Sequence, residues 1–258
     1  MTLSLALRRR QWSSRLVLAF ALASVFGASV AQRAWGGEAV VVPRMLSLGG
    51  SWPGCDLSNR KLAGSRFVTG DFRGASFVGS DLRGAFFMAS HFGGADFSHA
   101  DLRSATMTGA VFQGADFANA NLMGLIAMGT NLSQTDLSGA RLEGGMLVGT
   151  DLRQIDARGA RFDKCNLTGA NLEGGDFERA SFRDAQLSGA VLAGGDFNRT
   201  DFKGANLRGA FIGGADLATA LNLTRAQLAD ACADHATHLP NRMTARLCQG
   251  HVFLVRRP

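Results

Sequence analysis

A five-residue repeat runs from Cys55 to Thr219 without one insertion, and it limits what this chain can fold into. The run divides into 33 units, in which the third residue is Leu, Phe, Met or Ile in 31 units and the fifth is Gly in 20. A helix is excluded, because five matches no helical period and each glycine inside a helix costs about 1 kcal/mol. The pattern therefore predicts an all-β solenoid, in which short units stack on their neighbours.

Alternation of side chains along an extended backbone explains the composition of each unit. Positions one and three point to one side of the backbone, and positions two and four point to the other. The first residue is small in 30 units, so small and large residues alternate inward while polar residues face outward. Two units exchange this order, with Leu125 before Ala127 and Ile155 before Ala157. Because each exchange keeps the inward volume, we expect both positions to share one core.

Units such as Ala-Asp-Phe-Ser-His at 95–99 and Ala-Asn-Leu-Arg-Gly at 205–209 resemble the pentapeptide-repeat family, whose consensus is A(D/N)LXX. The resemblance covers about two-thirds of the chain. It implies a right-handed, quadrilateral parallel β-helix in which four units form one coil. The units at 55–219 would then form about eight coils, and at ~4.8 Å per coil the rod would be roughly 40 Å long.

The segment 1–31 has the composition of a secretory signal peptide. Four arginines, the last of them Arg15, precede an apolar run of 16 residues that ends at Ala31. This run is short for a membrane span, so we expect cleavage after Ala31 or near Gly37 rather than an uncleaved anchor. The sequence therefore predicts an exported, periplasmic or extracellular protein with no stable membrane span after cleavage, in which residues 32–54 form an N-terminal segment or cap.

Removal of the signal peptide also changes the charge balance. The whole chain has a net charge of +6, and cleavage leaves 23 basic and 21 acidic residues, a net charge of +2. Most of the net positive charge of the chain therefore belongs to the signal peptide. A nucleic-acid partner is not indicated, because phosphate binding requires a basic surface.

A coil of four units would make residues 20 positions apart neighbours on the surface. One outward column then holds eight aspartates, with Ser76 as the gap: Asp56, Asp96, Asp116, Asp136, Asp156, Asp176, Asp196 and Asp216. We interpret them as turn residues that bond nearby backbone amides, and the alternative is a cation-binding or DNA-mimicking ladder. The next face mixes basic and acidic residues, which is typical of a solvated, salt-bridged surface.

The third face carries no charge over the four units at 85–89, 105–109, 125–129 and 145–149. We define the apolar patch as its six large apolar outward residues: Phe86, Met88, Ile126, Met128, Met146 and Val148. Contiguous apolar surface is unusual on a soluble protein, and Phe and Met are enriched at interfaces. The patch is therefore a candidate interface with a protein partner or a second copy. The alternative is that residues 32–53 fold back over it.

The repeat register ends after Thr219, and we expect residues 220–258 to form a helical cap and tail. Thr224 and Gln227 have the spacing of a capping box at the start of a helix. This signal predicts a helix over roughly residues 225–234. Such a helix would cover the open end of the stack, which otherwise exposes apolar residues and unpaired strand edges.

Four cysteines separate into two pairs by position. Cys55 and Cys165 occupy inward first positions and are expected to be core thiols. Cys232 and Cys248 lie beyond the repeat, and export to an oxidising compartment favours a disulfide between them. The alternative is a zinc site with the ligands Cys232, His235, His238 and Cys248.

The sequence contains no catalytic constellation, phosphate-binding loop or metalloprotease motif. A flat-sided rod also lacks the concave pocket that a small-molecule substrate needs. We therefore expect a non-enzymatic scaffold of the cell envelope, without a cofactor or metal, that binds a protein or has a structural role. The alternative is a DNA mimic, because some cytoplasmic pentapeptide-repeat proteins resemble DNA and bind type II topoisomerases. That function favours a strongly acidic rod, whereas this repeat has 16 basic and 18 acidic residues.

Overall fold

The computed structural model describes residues 47–240 and 243–248. The predicted signal peptide and residues 32–46 of the predicted N-terminal segment lie outside the described residues, as does the end of the predicted tail at 249–258. Within the described ranges, no helix has both the length and the apolar character that crossing a membrane requires.

Parallel pairing between residues 20 positions apart builds the repeat region. Isolated parallel bridges join second-position residues to their counterparts four units later, from Asp56–Ser76 to Asp196–Asp216. Three further columns of bridges follow the same step. The backbone therefore passes over itself after every four units, which is the spacing that the resemblance implies.

Regular strands and a helix occur near the two ends of the described chain. Toward the N-terminus, β1 (Ser47–Ser51), β2 (Arg66–Asp71) and β3 (Phe86–Met88) form a parallel sheet in that order. Toward the C-terminus, α1 (Arg225–Leu228) precedes a two-stranded parallel sheet of β4 (Cys232–Ala233) and β5 (Arg246–Leu247). β1 pairs with β2, so the described part of the N-terminal segment stacks on the first coil as an additional rung.

Backbone hydrogen bonds connect each unit to the next coil and close each corner. In the unit at 80–84, the amide of Leu82 donates to the carbonyl of Asp101 at 2.7 Å, and the amide of Gly84 donates to that of Arg103 at 2.8 Å. The amide of Ala85 donates to the carbonyl of Leu82 at 3.0 Å and closes the turn. Gly84 has a φ of 63°, a left-handed conformation that explains why glycine predominates at the fifth position.

First- and third-position side chains fill the interior, and leucine and phenylalanine supply most of its large side chains. Rings from successive coils stack nearly parallel, with centroids 4.6 Å apart for Phe77 and Phe97 and 4.9 Å apart for Phe97 and Phe117. Leu125 and Ala127 are both buried, as is the exchanged pair at 155 and 157. The prediction that the first and third positions share one core is confirmed.

The helix α1 begins with the predicted capping box but is shorter than predicted. The amide of Gln227 donates to Thr224 Oγ1 at 3.3 Å, and the amide of Thr224 donates to Gln227 Oε1 at 2.8 Å. The prediction of a helix extending to residue 234 is wrong, because α1 ends at Leu228. Leu228 is buried, and the backbone after it returns to the stack.

The chain after α1 forms a further rung on the last coil. The amide of Cys232 donates to the carbonyl of Ala210 at 2.8 Å, and the carbonyl of Cys232 accepts from the amide of Ile212 at 2.7 Å. Phe211 pairs with Cys232, a step of 21 residues instead of 20. Pairing with the stack therefore satisfies backbone groups that a longer helix would have to satisfy within itself.

Candidate interaction surface

The six residues of the apolar patch lie in two stacked columns on one side of the molecule. Parallel bridges join Phe86 to Thr106, Thr106 to Ile126 and Ile126 to Met146, so the patch spans four successive coils. Phe86, Met88, Met128 and Met146 are each between 40% and 44% exposed, and Ile126 and Val148 are half-buried. The structure therefore brings together the residues that the sequence analysis singled out.

Toward the C-terminal end of the rod, the column of the patch continues with uncharged side chains. Beyond Met146, the same column continues with Asn166, Gln186 and Asn206, where Asn206 Nδ2 donates to Gln186 Oε1 at 3.0 Å. At the N-terminal end, the guanidinium of Arg66 lies 6.0 Å from the centre of the Phe86 ring. An uncharged surface of this length favours contact with another apolar or uncharged surface.

The aspartate column has the local bonding expected of turn residues. Each of its eight carboxylates accepts a hydrogen bond from the backbone amide two residues later, as in Asp96 from Ser98 at 2.9 Å and Asp116 from Ala118 at 2.8 Å. These contacts support the interpretation of the column as Asx turns. Among the described residues, no group of three or more His, Cys, Asp or Glu side chains could hold a metal ion.

Aspartate–arginine pairs two residues apart recur on the charged faces. Arg83 donates to both carboxylate oxygens of Asp81 at 2.8 and 2.7 Å, and Arg103 makes the same pair with Asp101 at 2.9 and 2.7 Å. The arginine side chain lowers the pKa of its aspartate in each pair. The carboxylate and the guanidinium of each pair therefore neutralise each other within the molecule, as expected for a surface that mixes acidic and basic residues.

Acid is expected to weaken the fold through these pairs. A carboxyl group with a lowered pKa stabilises the folded state above its unfolded pKa of about 4, and this contribution is lost as the pH falls through its folded pKa. Hydrogen bonds from Arg73 lower the pKa of Asp71 to about 2. The unfolding temperature should therefore be flat from pH 7 to 5 and fall between about pH 4 and 2. A variant with Asp81→Asn and Asp101→Asn should show a shallower fall, and an equal fall would contradict this assignment.

A shallow depression on another face was missed by the sequence analysis. It has a volume of about 470 Å³, and three glutamines form a ladder across it. Gln113 Nε2 donates to Gln134 Oε1 at 3.0 Å, and Gln134 Nε2 donates to Gln154 Oε1 at 3.2 Å. The available signal was glutamine at the fifth position of two successive coils, at 134 and 154, where glycine is usual. The amides are engaged with one another, and they define no catalytic group.

Cys165 lies in the core and Cys232 and Cys248 form a disulfide, as the sequence predicts, whereas Cys55, also expected in the core, is only half-buried. Cys232 and Cys248 are joined by a disulfide, with their Cα atoms 5.3 Å apart, which leaves no thiolate for the alternative zinc site. Cys165 is buried, and burial raises the pKa of its thiol to about 12. Cys55 is half-buried, and burial raises its pKa to about 11. Neither free thiol has the character of a nucleophile.

The architecture described so far is that of a parallel β-solenoid built from five-residue units. The family model for pentapeptide repeats matches this chain in eight copies, over residues 54–87 and in overlapping segments between 90 and 218. Because the match covers more than half of the sequence, the chain belongs to the pentapeptide-repeat family, whose fold is a right-handed β-helix.

Solved structures of other pentapeptide-repeat proteins are similar to this chain. HetL from the cyanobacterium Nostoc sp. strain PCC 7120 is 25% identical, with 78% of this chain and 86% of HetL covered and a TM-score of 0.44. Full-length QnrB1 is 20% identical, with 69% of this chain and 92% of QnrB1 covered and a TM-score of 0.26. Rfr23 from the cyanobacterium Cyanothece 51142 is 23% identical, with coverages of 64% and 90% and a TM-score of 0.29. No curated protein matches the sequence.

Proposed function

We propose that this protein is a non-enzymatic, exported scaffold that binds a protein through the apolar patch. The observation that carries the proposal is the exposure of Phe86, Met88, Met128 and Met146 in two adjacent columns with no charge among them. Phe and Met are enriched in the cores of protein interfaces, where burial of their apolar surface favours binding. The stacked coils hold their Cα atoms at fixed spacing, so little backbone entropy is lost on binding.

The proposal includes the finer architecture of the rod. We infer a quadrilateral β-helix of about eight coils, based on the four bridge columns and the 33 units. The segment 220–248, with α1 and the disulfide, acts as its C-terminal cap. Gln227 supports this role, since its Nε2 donates to the carbonyls of Phe202 and Ala205 at 2.7 and 2.8 Å, where the next coil would otherwise pair.

Export to the periplasm or the cell exterior is the proposed setting. The basic segment, apolar run and small residues at 1–31 support it, and so does a disulfide at Cys232 and Cys248. Disulfides persist in oxidising compartments and are rare in the cytosol. Detection of the protein in a periplasmic extract, with its N-terminus beginning at Gln32 or near Gly37, would test this setting.

A DNA-mimicking protein that binds a type II topoisomerase is the less favoured function. QnrB1 is described as a plasmid-mediated fluoroquinolone resistance protein. A mimic of DNA needs a dense negative field. Here the eight column aspartates bond backbone amides, and Arg158 pairs with two of them, Asp156 and Asp176. Clear inhibition of supercoiling by the purified protein would favour this function over the proposed one.

Charges placed in the apolar patch should abolish partner binding without unfolding the rod. Ile126→Asp with Met128→Asp introduces two carboxylates that would have to be desolvated at an interface, so capture of an envelope partner should fall by at least about 100-fold. A pull-down from the envelope fraction measures this loss. The matched control is Gln186→Asp with Ser188→Asp, which lies in the same two columns outside the patch. Equal capture by both variants and the parent would contradict the proposal.

A further inference from the structure

We propose that Asn166 is an N-glycosylation site, to which an oligosaccharide is attached once the chain has been exported. This inference rests on the export that belongs to the proposed function, because sugar is transferred to Asn-x-Ser/Thr triplets of secreted chains. It goes beyond that function, since it assigns a covalent modification and gives the apolar patch a C-terminal limit.

The sequence contains four Asn-x-Ser/Thr triplets, which are the acceptor pattern for N-linked sugar. They begin at Asn131, Asn166, Asn198 and Asn222. The pattern alone does not select one of them, because Asn at the second position and Ser or Thr at the fourth both recur in this repeat. The structure separates the four triplets by the surroundings of the amide nitrogen that would carry the sugar.

Two of the asparagines use their amide nitrogens within the molecule. Asn198 Nδ2 donates to Asp216 Oδ2 at 2.8 Å, and Asn222 Nδ2 donates to Asp201 Oδ1 at 2.8 Å. Thr200, the hydroxyl residue of the triplet at 198, is also fully buried. A sugar on either asparagine would compete with these contacts, so the folded chain disfavours both sites.

The triplet at 166 is more accessible than the triplet at 131. Ser133 is 7% exposed, whereas Thr168 is exposed and Asn166 is half-buried. Asn166 Oδ1 accepts from the amide of Thr168 at 3.2 Å and from its hydroxyl at 2.7 Å. Both contacts hold the oxygen of the side-chain amide, and Nδ2 has no hydrogen-bond partner within residues 47–240 and 243–248. A substituent on this nitrogen therefore breaks no contact of the fold.

Transfer of the sugar is a substitution at the anomeric carbon of an oligosaccharide carried on a polyprenyl pyrophosphate. Asn166 Nδ2 forms the new C–N bond, the C–O bond to the pyrophosphate breaks, and Nδ2 loses one proton. The polyprenyl pyrophosphate leaves, and nothing is oxidised or reduced. In the folded coil the amide of Asn166 donates to the carbonyl of Gly145 at 2.9 Å, and that of Leu167 donates to the carbonyl of Gln186 at 2.8 Å. Because these bonds hold the triplet in the stack, the transfer precedes the stacking of this coil.

A sugar on Asn166 would stand at the C-terminal limit of the apolar patch. Asn166 follows Met146 in one column, where a parallel bridge joins them, and Thr168 follows Val148 in the other. Adjacent coils are ~4.8 Å apart, so the first sugar unit lies beside the last coil of the patch. A bulky, hydrophilic group at this place would confine a partner to the coils from Phe86 to Met146.

Intact mass and glycopeptide mapping of the full chain, purified from fractionated cells of its source organism, test the site. The mature chain should be heavier than its polypeptide by a whole number of sugar units, and the added mass should map to Asn166. Asn166→Gln and Thr168→Ala should each lose this mass completely, whereas Thr168→Ser keeps the triplet and should retain it. The matched control is Asn171→Gln, since Asn171 has the same position in the next unit but is followed by Leu172 and Glu173.

A mass equal to that of the polypeptide, sugar on another asparagine but not on Asn166, or loss of the sugar in Asn171→Gln would overturn the inference. Sequencing of the N-terminus in the same samples distinguishes its failure from that of the proposed function. An exported chain that begins at Gln32 or near Gly37 without sugar would reject the glycan and leave export standing. A chain found only in the cytosol, with residues 1–31 retained and no sugar, would reject both.

Discussion

Phe97→Ala is expected to lower the free energy of unfolding by about 3–5 kcal/mol, the range measured for removal of a buried aromatic side chain. Phe97 is fully buried and stacks between Phe77 and Phe117, with centroids 4.6 and 4.9 Å away. The surrounding coils are held by backbone hydrogen bonds on all sides and cannot collapse into the cavity. Chemical denaturation followed by circular dichroism measures the loss.

Phe86→Ala provides the matched control, since it removes the same side chain from the outer surface. Phe86 is 40% exposed, so its removal should cost about 1 kcal/mol or less. Similar losses for the two variants would mean that third-position rings do not form the core. Because each coil contacts its neighbours alone, a defect at Phe97 should also lower the cooperativity of unfolding, seen as a smaller denaturant dependence.

Removal of the disulfide by Cys232→Ser with Cys248→Ser should destabilise the C-terminal end by about 3 kcal/mol. The two cysteines are 16 positions apart, and closing a loop of about 15 residues restricts the unfolded chain by this amount in the chain-entropy model. The bond also holds β5 against β4, where the amide of Cys248 donates to the carbonyl of Ala233 at 3.0 Å. Limited proteolysis should therefore cut the variant near residues 230–248 before the coils.

Thiol titration of the unreduced, denatured protein distinguishes the disulfide from the alternative zinc site. Two thiols, from Cys55 and Cys165, should react before reduction and four after it. Reaction of four thiols without reductant would contradict the disulfide. The Cys165→Ser variant serves as the control, because it removes one reactive thiol and leaves the C-terminal bond intact.

The interior of the repeat could be predicted because its signal is local and recurs in every unit. Leu125 with Ala127 shows this clearly, since the exchange of large and small residues identified two positions that share one core. The stacking of residues 20 apart was not contained in any single unit. It came from the resemblance to a known family, and the bridge columns have the same step. The apolar patch was predicted by combining the alternation within each unit with the stacking of residues 20 apart.

The ends of the molecule were less predictable, because there tertiary pairing decides the local structure. The capping box at Thr224 marked the start of α1, but its end depends on the rung that Cys232 makes with Ala210 and Ile212. Nothing in the composition of residues 47–51 indicates a strand, and β1 exists through its pairing with β2. The glutamine ladder also escaped prediction, since side chains at 113, 134 and 154 meet across different coils and corners.

The direction of the backbone hydrogen bonds has a mechanical consequence. Each coil is attached to the next by bonds that join residues 20 apart, so these bonds lie along the direction in which the coils stack. Tension on the two chain ends would therefore break the hydrogen bonds of one coil before those of the next. Each released coil frees 20 residues, about 70 Å of extended chain. The disulfide between Cys232 and Cys248 stabilises the C-terminal end. Under tension, the molecule would therefore unfold from its N-terminal coil, and its length would increase by the same amount with each coil.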